Sequence, residues 1–307
     1  MGGGSKFPDN PALEDVHAKV RPTTISASDN LREYTVLVTG MGAYPNGHGG
    51  HYSASENTSH LITQRLPDHI PANHPLNPTG LPIRIINPTC GPNSAVKSQY
   101  AHIRSYVKTL HADSQETNQL DAIVHLGMAD GWDWYTVEKR AFKEGMSSTW
   151  WGESAREGYY MVLDDAGKTV LDIKGKDKGI WEGSPMGLMT GVNVEKVAGD
   201  ASRAINADSA KGIQDLGGQE KEKLKVQIIP HIEAGNYCCG FIYYESLATC
   251  LKWKLDTKVV FCHVPGWRDY ERLKRGSDVV CAVIGAICNQ IPKGKHGWSS
   301  SVSTNYP

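Results

Sequence analysis

The chain has 307 residues, 39% hydrophobic and 21% charged, and its 32 basic and 33 acidic residues leave a formal net charge of −1. That balance excludes wholesale disorder and a coiled coil, and it lacks the basic excess of a nucleic-acid or anionic-membrane binder. At this length roughly three quarters of the unfolded surface can be buried, so neither disulfides nor a structural metal is required for stability.

In chain order, residues 1–32 are polar and proline-bearing and read as a weakly ordered arm. Its opening, Met1-Gly2-Gly3-Gly4-Ser5-Lys6, lacks the apolar core of a secretory signal. From Tyr34 to Thr39 a β-branched apolar run ends at Gly40, the pattern of a strand buried on both faces. Further strands are expected at Ile83–Ile86, Ala122–Leu126, Leu224–Ile232 and Val259–Val264, with helices between them. Val96, Tyr100, Ile103, Val107 and Leu110 recur at spacings of four and three behind Ser94, a candidate N-cap. Val194–Ile205, Phe241–Trp253 and Tyr270–Ile287 are the other expected helices. Strands alternating with helices imply right-handed crossovers and a mostly parallel central sheet covered on both faces, an α/β fold in one domain over 33–292. Asp165–Gly183 and Asn206–Lys223 read as surface insertions, and 293–307 as a tail. The longest apolar run, Val279–Cys288, is about half of what a membrane-spanning helix needs. Seven cysteines at irregular spacing, with no signal sequence, point to reduced thiols in the cytoplasm.

The chemistry concentrates at strand ends. The strand ending near Ile232 runs through Glu233, Ala234 and Gly235 into an amphipathic helix carrying Phe241, Tyr244, Leu247, Ala248 and Leu251, with Cys238 and Cys239 at the corner. A thiol at such a corner sits among unpaired backbone N–H groups and the positive end of the helix dipole, which favour a thiolate and a developing oxyanion. The same corner equally suits two small buried apolar residues, so spacing alone does not separate nucleophile from core. His263 follows the run Val259–Cys262, at the C-terminal edge where open parallel sheets collect ligands, and is a candidate base. Glu138, beyond the loop after the Ala122–Leu126 strand, is a candidate to orient the imidazole, although on its own it reads as a solvated residue at a helix start. Trp132, Trp134, Trp150 and Trp151 crowd this region. His48 and His51, separated by two glycines, are too few convergent ligands for a zinc site, and no Lys-Ser/Thr follows as a P-loop requires.

Five segments stand in a telling order: Thr39-Gly40-Met41-Gly42-Ala43-Tyr44, Glu56-Asn57-Thr58-Ser59, Thr136-Val137-Glu138-Lys139-Arg140-Ala141, Ala234-Gly235-Asn236-Tyr237-Cys238-Cys239 and Phe261-Cys262-His263-Val264-Pro265. They resemble, in that order, the first turn, the Asn-Pro-Ser segment, the glutamate stretch, the Ala-Gly-x-aromatic-x-Cys nucleophile motif and the histidine stretch of the pyroglutamyl peptidase I family. These are cysteine peptidases that remove N-terminal pyroglutamate. Cys239 and His263 lie 24 residues apart, close to the family's spacing, and the resemblance runs from about Tyr34 to Ile291. Asp164-Asp165-Ala166-Gly167 is similar to a further turn of the family and reads as structural.

The resemblance implies a single-domain α/β/α sandwich, often assembled into homo-oligomers, without metal or organic cofactor. It implies Cys239 rather than Cys238 as nucleophile, being sixth from Ala234, with His263 as base and Glu138 as its orienting group. Gly40, Met41, Tyr44 and Asn57 are implied to bind the substrate, a peptide with N-terminal pyroglutamate, with Met41 and Tyr44 in place of the family's two pocket aromatics. Gly240 departs from the family where Asn is common, and Glu233 brings a carboxylate close to the thiol. Two other readings remain: a non-catalytic binder of modified N-termini or small lactams, and a redox pair at Cys238 and Cys239. The latter is disfavoured, since adjacent cysteines close only a strained ring.

Overall fold

The computed structural model describes residues 32–46, 50–117, 120–143, 159–174, 181–207 and 225–293. The first apolar run forms β1 (Tyr34–Gly40), followed by a small hairpin of β2 (Tyr44–Pro45) and β3 (His51–Tyr52). Then come α1 (Thr58–Thr63), β4 (His69–Ile70), β5 (Ile83–Ile86), α2 (Tyr100–Thr117), β6 (Ala122–Ala129) and β7 (Tyr135–Phe142). The remaining elements are α3 (Leu171–Lys174), β8 (Gly187–Met189), α4 (Val194–Ala207), β9 (Ile228–Glu233), α5 (Cys238–Trp253), β10 (Lys258–Pro265) and α6 (Tyr270–Cys288).

The main sheet runs β4-β5-β1-β6-β10-β7. β5, β1, β6 and β10 are mutually parallel, while β7 runs antiparallel to β10. β9 and β10 both pair with β7 at Glu138, so they lie on its opposite sides, β9 parallel to it. The fold is therefore the expected α/β sandwich with a mostly parallel sheet. Strand alternation sends Val36, Val38, Val124 and Val260 into one core beneath α1, α4 and α6, and Val259 and Phe261 into the other beneath α2 and α5. Among the described residues no helix is long and apolar enough to cross a membrane.

Three local expectations are corrected. α2 starts at Tyr100 rather than behind Ser94, because Val96 instead extends the sheet in a parallel bridge to Met41. The cap comes from far along the chain: the Asp164 carboxylate accepts from the Tyr100 amide at 2.8 Å, and its other oxygen ties the turn through the Ala166 and Lys168 amides. Second, the segment around Glu138 is a buried strand and not a helix start; pairing on both sides outweighs its run of charges. Third, the stretch Asp165–Gly183 is not simply a surface insertion, for Val170 and Trp181 are buried in the α5-side core. Of the expected insertion Asn206–Lys223, the arm 1–32 and the tail 293–307, only Asn206, Ala207, Arg32 and Lys293 fall within the described residues.

The helix that carries the two cysteines is anchored by a buried ion pair. Arg104 of α2 donates through Nε and Nη2 to Glu245 Oε1 of α5 at 2.9 and 2.8 Å, and its guanidinium lies 4.7 Å from the Trp181 ring centre. Both side chains are largely withdrawn from solvent, at 11% and 3% exposure. Removing one partner takes a counter-charge away from the other in the core. Arg104→Met is therefore expected to destabilise the fold by roughly 3–5 kcal/mol, read as a lowered urea midpoint.

Candidate active site

The turn between β9 and α5 carries the cysteines to β6, where the Cys239 sulfur meets Gly127. Gly235 bends the chain with φ +83, and Gly240 lies so close to it that a Cβ there would stand 1.9 Å from the Gly235 carbonyl oxygen. The glycine after the cysteine pair is thus a steric requirement of this corner. Tyr237 is the N-cap of α5, and its side chain supplies no capping oxygen to the first-turn amides of the helix.

The two cysteines separate by environment. Cys238 is buried at 1% exposure, and burial pushes its thiol well above the ordinary range. Cys239 is half-buried, and its sulfur packs over Gly127 at the end of β6, where a Cβ would come within 2.7 Å of it.

The cross-strand register assembles the rest. Phe261 of β10 faces Glu138 of β7, and two residues on, the His263 amide donates to Thr136 Oγ1 at 3.2 Å. His263 Nδ1 lies 2.8 Å from Glu138 Oε1, which leaves Nε2 outside that pair, and the Cys239 sulfur stands near enough to act on the ring. Burial alone would lower the basicity of His263. The hydrogen bonds to Cys239 and Glu138 outweigh it and raise the imidazole to about 10. Glu138 is fully buried; burial pushes its carboxyl up, but hydrogen bonds from His231 and His263 hold it below the usual carboxylate range. The structure thus sets the Cys239 sulfur near the bonded His263–Glu138 pair. Trp132 packs edge-on to His263 at 5.6 Å and stacks on Trp134, while Trp150 and Trp151 lie outside the described residues.

Glu233, a concern for the thiol on sequence grounds, is engaged elsewhere: the Tyr159 hydroxyl donates to its Oε2 at 2.8 Å. The sequence does not single out His231. Its Nδ1 lies 2.6 Å from Glu138 Oε2, and nothing in the alternation of its strand distinguishes it from a surface residue.

The expected pocket residues fall into two groups. Tyr44 is half-buried, packs at 5.2 Å against Tyr52, and stands near enough to Cys239 that burial, helped by charge on that sulfur, raises its phenol. Met41, at 3% exposure, belongs to the core beside α2 and α5, with the Cys239 side chain packed against the same cluster. Gly40 and Asn57 brace the turn instead. The Gly40 amide donates to Thr89 Oγ1, the Met41 amide to Ser59 Oγ and the Gly42 amide to the Val96 carbonyl. Asn57 is fully buried, donates to the Gly42 carbonyl at 2.7 Å and caps α1 through the Ser59 amide. His51 pairs with Asp165, and His48 lies outside the described residues.

No family model matches the chain, and no curated protein matches it in sequence. Among solved structures the fold is similar to pyrrolidone carboxyl peptidase from the hyperthermophile Pyrococcus furiosus, at 14% identity and a TM-score of 0.54, over 84% of this chain and 100% of that one. It is likewise similar to pyroglutamyl peptidase I from Bacillus amyloliquefaciens, at 17% identity and a TM-score of 0.51, over 83% of this chain and 96% of that one. At these identities the likeness establishes a shared α/β fold.

Proposed function

We propose that this protein is a cysteine peptidase that removes pyroglutamate from peptide N-termini, with its catalytic domain spanning 33–292. The observation that carries the reading is the His263 ring bonded to the buried Glu138 carboxylate at 2.8 Å, with the half-buried Cys239 close enough to act on that ring. The Cys239 thiolate, paired with the His263 imidazolium, attacks the pyroglutamyl carbonyl. The amides at the start of α5, to which the N-cap side chain gives no oxygen, stabilise the oxyanion. His263 gives its proton to the leaving amine, and water then hydrolyses the thioester with His263 as base. Glu138 fixes the Nδ1–H tautomer and balances the imidazolium. Tyr44, beside the sulfur, faces the acyl group, while Gly40 and Asn57 act by holding the turn. The solved structures of similar fold are of peptidases bearing that substrate in their names, which supports the reading. All seven cysteines are unpaired thiols, in keeping with a reducing, cytoplasmic setting.

Turnover of a pyroglutamyl reporter tests the assignment. Cys239→Ser is expected to abolish it and Cys238→Ser to retain it; the reverse pattern overturns the choice of nucleophile. A wild type that binds a pyroglutamyl peptide without cleaving it would favour the binding-protein reading, and there Cys239→Ser would leave the affinity unchanged.

The pH profile offers a second check. With His263 protonated up to about 10, kcat/KM is expected to fall as the pH rises through that value, because the leaving amine loses its proton donor. Glu138→Gln removes the anion that holds the imidazolium in a buried site. The alkaline limb should then move down by roughly 1–3 pH units.

A further inference from the structure

Glu138 carries two imidazoles, and the proposed reaction employs one. β7 lies between β10 and β9, and the register sets Glu138 opposite Phe261 on one side and opposite His231 on the other. Each carboxylate oxygen therefore has its own histidine: Oε1 meets His263 Nδ1 at 2.8 Å, and Oε2 meets His231 Nδ1 at 2.6 Å. The same His231 nitrogen lies 3.0 Å from the Glu233 carbonyl oxygen. A carbonyl accepts only, and the ionised Glu138 accepts only, so Nδ1 of His231 bears the proton and donates. The two rings also share a wall, for Trp132 stands edge-on to His231 at 5.4 Å and to His263 at 5.6 Å.

We infer that His231 is a positioning residue, whose Nδ1–H holds the second oxygen of Glu138 so that the first stays aligned with His263 and the carboxylate stays ionised. The inference rests on the reading of Cys239 and His263 as the reacting pair. A fully buried carboxylate with one oxygen unpaired is costly and turns or protonates to relieve it. Either response weakens the bond that sets the His263 tautomer. Among the described residues, the ionisable side chains that act on His231 are Glu138 from β7 and His263 from β10; hydrogen bonding to Glu138, against the opposing effect of burial, raises its basicity. β9 also leads directly into the Gly235 turn and the cysteine corner, so the strand bearing His231 is the one that delivers the sulfur.

Asparagine separates positioning from bulk, since its Nδ2–H takes the place of histidine Nδ1–H. Glutamine is closer in size but carries its amide one bond further out. In the full chain, His231→Ala and His231→Gln are expected to lower kcat on the pyroglutamyl reporter roughly ten- to hundredfold, as for loss of one hydrogen bond to a charged group, with KM nearly unchanged. Both should also shift the alkaline limb of kcat/KM downward. His231→Asn should restore kcat and the limb to near wild type. Equal kcat in the wild type, His231→Ala and His231→Gln overturns the inference, as does His231→Asn failing alongside them. Should His231→Ala not melt cooperatively, His231→Gln against His231→Asn decides by itself. A wild type inert to the reporter counts against the pyroglutamyl reading alone. In that case the iodoacetamide alkylation rate of Cys239 is the deciding measurement, with wild type and His231→Asn faster than His231→Gln in support and equal rates against.

Discussion

The buried carboxylate of Glu138 is the constraint on which the site depends. A charge with no solvent exposure in the middle of a sheet persists only if both oxygens are paired, and here the pairing partners come from the strands on either side. Thr136, two residues earlier on the same strand, also donates to Oε1 and receives the His263 amide, so β7 and β10 are joined by side-chain as well as main-chain bonds. The arrangement places a negative charge between two imidazoles, and together with Cys239 it raises His263 to about 10 against the effect of burial. A histidine at the end of a buried strand would otherwise be pushed towards neutrality by desolvation.

The sulfur is positioned by subtraction of side chains. Gly127 lets Cys239 approach β6, and Gly240 lets the first turn of α5 fold back on Gly235. The neighbouring thiol, one residue earlier, packs in the core with Phe241 and Tyr100, and burial pushes it well above the ordinary thiol range. A helix rotation of about 100° per residue thus divides two adjacent cysteines into a packing atom and a half-exposed sulfur beside a histidine. The Arg104–Glu245 pair then holds that helix against α2 from the far side of the core.

The first turn after β1 is rigid for the same reason that it offers little to a ligand. The amides of Gly40, Met41 and Gly42 are bonded to Thr89, Ser59 and Val96, and Asn57 ties Gly42 to the start of α1. The side chains nearest the sulfur on this side are Tyr44 and its packed partner Tyr52, whose hydroxyl donates to Asp130 and whose ring lies beneath the Arg268 guanidinium.

The sequence by itself determined the alternation of apolar strands and amphipathic helices, and with it the layered α/β fold, because buried parallel strands and one-sided helices leave periodicities that need no knowledge of their partners. It also located Cys239 and His263 at strand ends. The roles of the remaining residues were decided only in three dimensions. Glu138 has the local look of a solvated charge, and it becomes buried because β9 and β10, each some ninety residues or more further along, close around it. Ser94 has the look of a helix cap, yet Asp164 performs that task across the fold. His231 carried no signal at all, since an imidazole becomes a partner for a carboxylate only once strand register sets the two side by side, and register is a property of the assembled sheet.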